Sequence, residues 1–510
     1  MVKTHKKFLS LTVFILTFVP FSFAWTQSTR VLTLEESIHI ALNQSFDAAR
    51  LEQSLINSRM GLRSAQAGLK SNSELVFTRF PNFQDNERQT EAVGGAFSFD
   101  RQKFLDFGAD LFINQPIKLT DGTFSLIGSL QRFQQFNTLN LPDGINVPGA
   151  PTSNDRIDYS PQLRLRFTQP LFTLNRLKTN FRKAELNLEK TVQSFTRTQL
   201  DIIHNVTTNF YNLLKAQKQF EIDSSQVEQS ENAYRIANLK QQAGLLAEVD
   251  VLRLEVDLAN ARNRAAASQA NLQQTEDAFK VQIGLPIMES IAVTSGLSYR
   301  LIDVTPQRAL QEALSRRTEL RTDEIDIELG EISVRETDSQ RAIKGELNLT
   351  YGIFQRDENF TDAFKDFNQD RSVTFSLTVP LWDWQKNGYE VQASAASLQS
   401  TILTQKNRIE SIKREIRAAV RNLKSAQQRV DITKRSEALA EKSYNISLLK
   451  FENGDLSTQD LALEQNRLTD ARINSLTAII DYKQALSDLR RKTLWDFEKN
   501  APVQVTVPEE

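Results

Sequence analysis

Cysteine is absent from the 510 residues of this chain, and histidine occurs only three times. The chain therefore has no disulfide, no thiolate zinc site, no cysteine nucleophile and no lipid-bearing cysteine. His5 lies in a segment that we interpret below as cleaved, which leaves His39 and His204. Two histidines are a poor basis for metal binding or acid–base catalysis. We therefore expect no cofactor, no metal and no enzymatic activity.

The chain also lacks an excess of positive or of negative charge. The chain has 62 Lys and Arg against 63 Asp and Glu, a formal net charge of −1. This balance argues against a broad basic surface for nucleic acid. Apolar residues make up 40% of the chain, which is low for one large buried core. The length allows several domains.

Long apolar runs are missing after the N-terminus. Three lysines precede an apolar stretch at residues 8–19, which is too short to cross a bilayer of about 30 Å as a helix. The small residues Ser22 and Ala24 predict cleavage after Ala24, so residues 1–24 are interpreted as a signal peptide. An uncleaved N-terminal anchor is the alternative. The mature chain is expected to be exported.

Proline is rare, with 13 in the chain, and none lies between Leu171 and Leu285 or between Leu381 and Ala501. Proline costs about 3 kcal/mol inside a helix, so these intervals predict long helices, each interrupted once, at Gly244 and at Gly454. Small and apolar residues recur there in steps of four and three, which is typical of coiled-coil packing. One such series is Ala247, Val251, Leu254, Leu258, Ala261 and Ala265.

The helix lengths predict the shape of the helical part. Helices at 175–243 and 385–453 would each be about 104 Å long. Shorter helices at 45–71, 248–283, 318–344 and 458–498 would measure roughly 40–62 Å. Two shorter helices stacked end to end nearly match one long helix. The prediction is a wall of helices about 100 Å tall.

The chain also repeats itself at an offset of 210 residues. The matching pairs are Glu231 and Glu441, Tyr234 and Tyr444, Leu239 and Leu449, Lys240 and Lys450, Gly244 and Gly454, and Asp250 and Asp460. Earlier helix starts, at Thr33 and Thr305, match at an offset of 272, so the first half carries an insertion of 62 residues. Two halves with one element order predict two structural repeats.

The predicted domains follow from this repeat. Residues 25–302 form the first repeat: a helix, a β-hairpin with an insertion at 75–170, and a helical hairpin at 175–284. Residues 303–498 form the second: a helix, a β-hairpin at 346–380, and a helical hairpin at 385–498. Residues 499–510 are a tail.

Four segments, at 124–130, 163–167, 347–353 and 373–379, alternate apolar and polar residues. A membrane barrel and a half-buried soluble hairpin both give this pattern. Four strands cannot close a barrel, so a barrel would need several protomers. Further strands are expected in the insertion near 97–99 and 108–114, and an exposed loop at 141–160. Pro170 and Pro380 mark the turns from strand to helix.

Several segments in order and in duplicate resemble the TolC-like outer membrane efflux proteins. They are LTLEESIHIALNQS from residue 32, QPLF and VPLW at the strand ends, AGLLAEVDVL and NGDLSTQDLA at the helix interruptions, and AFKVQIGLP from residue 278. The resemblance covers essentially the whole mature chain. It implies an α+β membrane protein, a homotrimer that shares a 12-stranded β-barrel, four strands per protomer, in the outer membrane of a Gram-negative bacterium. A coiled-coil helical tunnel would cross the periplasm.

The resemblance implies a passive exit duct for tripartite efflux or type I secretion. Its partners would be outer membrane lipid, a periplasmic adaptor and an inner-membrane RND or ABC transporter, with no nucleic acid. The alternative is a soluble periplasmic coiled-coil adaptor or scaffold. That alternative fits the helices and the export signal, but not the amphipathic strands and the duplication.

The resemblance also assigns residues near the helix interruptions. Asp460 matches the main aspartate of a constricting ring, and Leu463 stands where a second ring aspartate is usual. Asp250 matches the acidic member of a closed-state link, whose tyrosine and arginine partners correspond to Phe451 and Leu456. Helix N-terminal capping is the alternative role for both aspartates. The hairpin tips expected to contact the adaptor are Gly244, Leu245, Leu246, Gly454, Asp455 and Leu456.

Overall fold

A computed structural model describes residues 30–91, 97–140, 153–294, 296 and 299–503. The expected cleavage site at Ala24 lies outside the described residues. The elements of the first half are β1 (Arg30–Leu32), α1 (Leu34–Gln44), α2 (Phe46–Ala67), β2 (Asn72–Glu91), β3 (Phe97–Ile117), β4 (Gly122–Asn140), β5 (Ser153–Leu171), α3 (Arg176–Gln242), α4 (Glu248–Ile283) and β6 (Ile291–Val293). Those of the second half are α5 (Pro306–Arg316), α6 (Thr318–Ser339), β7 (Lys344–Phe354), β8 (Asn368–Thr378), α7 (Lys386–Asn453), α8 (Thr458–Thr493), β9 (Trp495–Asp496) and β10 (Ala501–Pro502).

The two long helices have nearly equal lengths. α3 has 67 residues and α7 has 68, about 100 Å each. α4 and α8 have 36 residues each, about 54 Å. α8 ends five residues before its predicted end, because Leu494 adopts a left-handed conformation with φ 53°. None of the described helices combines the length and the apolar character that a membrane crossing requires.

The helix starts show how the sequence sets the element boundaries. Thr33 caps α1: its hydroxyl oxygen accepts from the Glu36 N–H at 3.3 Å, and the Glu36 carboxylate accepts from the Thr33 N–H at 2.9 Å. This is the capping box that the sequence predicts at this point. Pro306 occupies the first turn of α5, after Thr305.

The apolar core lies in separate clusters along the helices. One joins α1, α3, α4 and α8 and includes the buried aromatics Phe210 and Phe279. A second joins α5, α7 and α8 around Tyr482, whose hydroxyl donates to the Arg300 carbonyl at 2.6 Å. A third lies at the far ends of the hairpins and is described below. The core thus holds neighbouring helices together along their length.

One antiparallel sheet contains six strands in the order β2-β3-β4-β5-β7-β8. The predicted number, four, is therefore wrong: the insertion brings the first half to four strands of this sheet, and within it β3 pairs with β4 from Phe99 opposite Asn140 to Ile117 opposite Gly122. The extra segments expected near 97–99 and 108–114 both belong to β3. The predicted loop at 141–160 is wrong from Ser153 onward, where β5 begins to pair with β4; its first part, 141–152, lies outside the described residues.

The sheet has one apolar and one polar face. Leu126, Leu165 and Tyr351 are direct cross-strand neighbours on one face, and all three are exposed. On the other face Thr168 donates to Asn348 at 2.7 Å. The predicted alternation is present in the sheet, and the apolar side chains of one face are exposed in the part of the chain that the structure describes.

Candidate gate at the hairpin ends

Both predicted tips are tight turns of the same form. α3 and α4 are joined at Gly244, with φ 72°, and α7 and α8 at Gly454, with φ 89°. These are left-handed conformations that residues with a Cβ adopt at a cost. The Leu245 N–H donates to the Lys240 carbonyl at 2.8 Å, and the Asp455 N–H donates to the Lys450 carbonyl at 2.9 Å. These bonds satisfy helix-end carbonyls that would otherwise lack a partner.

A repeated ion pair lies along each hairpin. Glu231 of α3 contacts Arg262 of α4 at 3.4 Å, and Glu441 of α7 contacts Arg472 of α8 at 3.1 Å. Each member is separated from its counterpart by 210 residues. Exposed pairs of this kind stabilise a fold by about 0–1 kcal/mol. Their main significance is that the two hairpins share one geometry, as the sequence repeat predicts.

An apolar cluster, here called the tip cluster, packs the two hairpins against each other. Its buried members are Ala233, Ala237, Val251, Leu254, Tyr444, Phe451, Leu461 and Leu468. Leu246 and Leu456 are partly buried against it. Phe451, which is 2% exposed, and Leu456 are therefore core side chains here. Their side chains hold the hairpins together through apolar contact.

Lys240 supplies a polar contact at the edge of this cluster. Its Nζ donates to the Phe451 carbonyl oxygen at 2.5 Å and lies 4.7 Å from the centre of the Phe451 ring. A cation over an aromatic face contributes about 0.5–2 kcal/mol. Sequence reasoning missed this role, because Lys240 matches Lys450 in the repeat and only the folded structure distinguishes the two.

A buried polar layer joins α3 to α8 further from the tips. The Gln465 amide donates to the Ser230 hydroxyl at 3.1 Å, and the Thr469 hydroxyl donates to the Gln226 side chain. Gln226, Ser230 and Gln465 are each 4% exposed. Satisfied buried polar groups fix how two helices align. Sequence reasoning missed this layer, because Gln and Ser on a long helix usually face water.

Asp460 and Asp250 lie in the first turns of their helices but do not meet. Asp460 is exposed; its N–H donates to the Ser457 hydroxyl oxygen at 3.1 Å, and that hydroxyl donates to the Asp460 carboxylate at 2.6 Å. This is capping geometry. Asp250 lies 3.5 Å from Arg253 on its own helix. Among the contacts described for Asp250, none joins it to Phe451 or Leu456.

A groove of about 770 Å³ separates α4 from α8 next to the tips. Val249, Leu252 and Val256 of α4 line it and are 52–59% exposed, and Leu463 of α8 is 47% exposed. Asp257 and Asp460 also line it. Burial raises the pKa of Asp257 above its ordinary value, although Arg264 acts against this. Arg253 lines the groove as well, so the groove combines apolar side chains with charged groups of both signs.

The strand-to-helix turns lie at the opposite end of the long helices. Pro170 is the second-last residue of β5, and Phe172 follows with φ 61°. Pro380 lies two residues after β8. Trp382 and Trp384 come next, 76% and 82% exposed, with ring centres 5.3 Å apart. Exposed aromatics beside an apolar sheet are typical of a membrane–water interface.

The chain matches the sequence family of the outer membrane efflux protein over residues 138–284 and 309–493. It belongs to the outer membrane efflux protein family. The chain is therefore located in the outer membrane of a Gram-negative bacterium. Its activity is passive efflux transport and not enzymatic catalysis. The match favours the channel over the periplasmic adaptor hypothesis.

Known proteins similar to the chain agree with this family. The cobalt-zinc-cadmium resistance protein CzcC of Cupriavidus metallidurans is 23% identical over 333 residues, 61% of this chain and 73% of CzcC. The crystal structure of the CmeC outer membrane channel of Campylobacter jejuni has a TM-score of 0.66 at 14% identity, covering 93% of this chain and 87% of CmeC. VceC of Vibrio cholerae has a TM-score of 0.64 at 12% identity, covering 92% and 97%. These structures share the fold of this outer membrane efflux protein.

Proposed function

We propose that three copies of the chain form a passive duct, which receives cargo from an inner-membrane RND or ABC transporter through a periplasmic adaptor. The observation that carries the proposal is an open amphipathic sheet at one end of helices about 100 Å long. Within lipid, unpaired strand edges have no water to bond with, so the edges must pair with other copies. Three copies of the helical hairpins would then surround one tunnel through the periplasm.

The proposed gate lies at the hairpin ends. In a symmetric trimer, three copies of Asp460 would face a common axis and form a ring of negative charge. Such a ring lowers the energy of cations in the pore and raises that of anions. The tip cluster and Lys240 would hold each protomer's hairpins together in the closed state. Asp250 is proposed to contribute to the charge of the mouth, since its neighbour Arg253 leaves it partly exposed.

The proposed adaptor contact is the tips together with the groove between α4 and α8. The tip residue Leu245 is 76% exposed, and the groove adds three exposed apolar side chains of α4. Exposed apolar groups in one region with a polar rim are typical of protein interaction sites. The remaining tip residues are Gly244, Leu246, Gly454, Asp455 and Leu456, and they would shape the contact through the two turns.

Planar bilayers test the proposed duct directly. The protein should resist extraction by salt, dissolve only in detergent, and then produce discrete conductance steps with a preference for cations. A soluble adaptor would be released without detergent and would give no steps. Protein that is detergent-extracted and folded but never conducts would contradict the proposed duct.

A further inference from the structure

The two edges of the sheet are exposed within a single chain. All 11 residues of β8, Asn368–Thr378, are exposed. On the other edge, residues 72–75 of β2 are exposed as well. Leu75 is 56% and Phe375 is 55% exposed, although both belong to the apolar face of the sheet. Each edge thus offers free backbone groups and apolar side chains to a neighbouring strand.

The stagger between the strands indicates which strand of a neighbouring chain can pair with each edge. A row of paired residues runs from Asn72 at the start of β2 through Asn114, Ser125, Arg166 and Thr350 to Ser372 of β8. β8 then continues for six more residues to Thr378. Six residues correspond to about 20 Å along the strands; the five spacings from β2 to β8 and a sixth to a strand of the next chain correspond to about 29 Å across them. If the ends of β8 and of that next strand are level, the strands tilt by about 35°, a tilt found in closed barrels.

We infer that β2 of each chain pairs antiparallel with β8 of the next chain, so that the trimer closes a barrel of 18 strands. This inference rests on the proposed trimer and extends it. When the start of β2 is level with the end of β8 in the neighbouring chain, Asn72 lies opposite Thr378 of that chain. Leu75 then lies opposite Phe375, both on the apolar face, and Glu74 lies opposite Ser376 on the polar face. A register shifted by one residue would place apolar side chains opposite polar ones.

The outer half of β2 supports the same register. In this pairing the first residue of β8, Asn368, lies opposite Asn82. β2 has register shifts between Val76 and Arg79 and between Arg79 and Asn82, and Pro81 lies in the second of these. Proline and irregularities of this kind protect a free edge. The pairing therefore ends where β2 is no longer suited to a partner.

Beyond Asn82, charged side chains also protect the free edge of β2. Asp85 of β2 forms a bidentate pair with Arg101 of β3, at 2.8 and 2.5 Å. Charged groups on the outer part of an edge strand prevent further pairing. β5 likewise continues past β7: Gln162 lies opposite Phe354, and nine residues from Ser153 extend beyond it. The four strands of the first repeat thus extend past the outer ends of β7 and β8.

The consequence is a wider exit than the resemblance implied. Barrel diameter grows roughly linearly with strand number, so 18 strands give about one and a half times the width of 12. Barrels of about this size leave a water-filled channel. The outer membrane part would then not restrict the cargo, and the narrowest point would lie at the hairpin ends.

Disulfide cross-linking tests the pairing in a chain that naturally has no cysteine. Leu75→Cys combined with Phe375→Cys should give dimers and trimers on non-reducing gels, because five strand spacings, about 24 Å, prevent a bond within one chain. Leu126→Cys combined with Phe375→Cys is the matched control and should give none. Glu74→Cys with Ser376→Cys repeats the test on the polar face, should the first pair impair folding.

The outcomes separate the inference from the proposed function. Trimers that cross-link through position 126 and not through position 75 would mean that β8 pairs with β4, and would overturn the 18-stranded barrel alone. Trimers that cross-link neither through position 75 nor through position 126 would also overturn the 18-stranded barrel, if the neighbouring pair Ser73→Cys with Leu377→Cys gives no cross-link either. A monomer in detergent would overturn both the barrel and the proposed trimer.

Discussion

Asp460 is the residue on which the gate proposal depends most. Its capping contact with Ser457 is present in the folded chain, so the carboxylate has a structural role whatever its role in the pore. The two roles differ in what they affect. Capping acts on the stability of α8, whereas a charged ring acts on which ions pass.

Asp460→Asn removes the charge and keeps an oxygen that can still accept from Ser457. We expect lower cation selectivity in reversal-potential measurements and nearly unchanged thermal stability, because the N-cap Ser457 still accepts from the backbone N–H of residue 460 and an acid in the first turn contributes only about 0.3–1 kcal/mol. Asp455→Asn, five residues earlier on the exposed tip, is the matched control and should change selectivity less. Reduced thermal stability with unchanged selectivity would support capping alone, and the constriction would lie elsewhere.

Lys240 is expected to hold the hairpins of one protomer together. Lys240→Met keeps the apolar stem but removes the donor to the Phe451 carbonyl, which retains a bond from the Gly454 N–H at 3.1 Å. The loss should therefore be small, about 1 kcal/mol, and should appear as more frequent channel opening. Lys450→Met, its exposed counterpart in the repeat, should leave opening unchanged. Equal effects of the two variants would contradict a role specific to Lys240.

Asp257 provides a test by pH. Its raised pKa means that the folded chain binds a proton more readily than the unfolded chain, so its contribution to stability is greatest at low pH and falls as pH rises through this pKa. Asp257→Asn removes the cost of the buried charge. We expect the variant to melt at a higher temperature than the wild type at pH 7, and the difference to shrink as pH falls. A difference that is constant with pH would contradict this explanation.

At the scale of elements, the strands show which face meets lipid. Phe375 and Thr374 are neighbours on β8 that point to opposite faces, and both are exposed. Phe375→Arg places a charge on the proposed lipid face, at a cost of about 2–4 kcal/mol at the bilayer midplane. Thr374→Arg faces the proposed lumen and should be tolerated better. The same contrast should hold between Leu163→Arg and Thr168→Arg.

Assembly into the outer membrane measures this difference. The variants on the apolar face should give less folded, detergent-extracted protein than their partners on the polar face. Similar yields from all four variants would show that the assignment of the two faces is wrong.

Much of the element arrangement follows from local sequence. The absence of proline, the heptad spacing and the two glycines place α3, α4, α7 and α8 within a few residues, because helix formation and its interruption are local effects. The strands of the second half alternate apolar and polar residues, so local sequence predicts them as well. β2 and the outer part of β5 were missed, because their Pro81 and Pro161 resemble loop signals until the pairing with β3 and β4 is known.

The candidate gate was less predictable than the elements around it. The sequence places Gly244, Gly454 and Asp460, since each belongs to a repeated or capping pattern. It does not show that Phe451 is buried or that Lys240 reaches its carbonyl, because both depend on how two distant hairpins pack. The Gln226–Gln465 layer depends on the same packing.

At the scale of the whole molecule, one chain is an incomplete structure. Its sheet is open at β2 and β8, and its long helices form two hairpins. Two tandem repeats supply two similar hairpins per chain, so three chains would supply six around one axis. Both the tunnel and the barrel therefore require assembly, and the central claim is that the assembly contains three copies.

Native mass spectrometry of the protein released from detergent micelles tests this claim most directly. The measured mass should be three times that of the mature chain, with no populated monomer under conditions that preserve the strand content. A single folded chain with native strand content, or a stable assembly of two or four copies, would contradict the account.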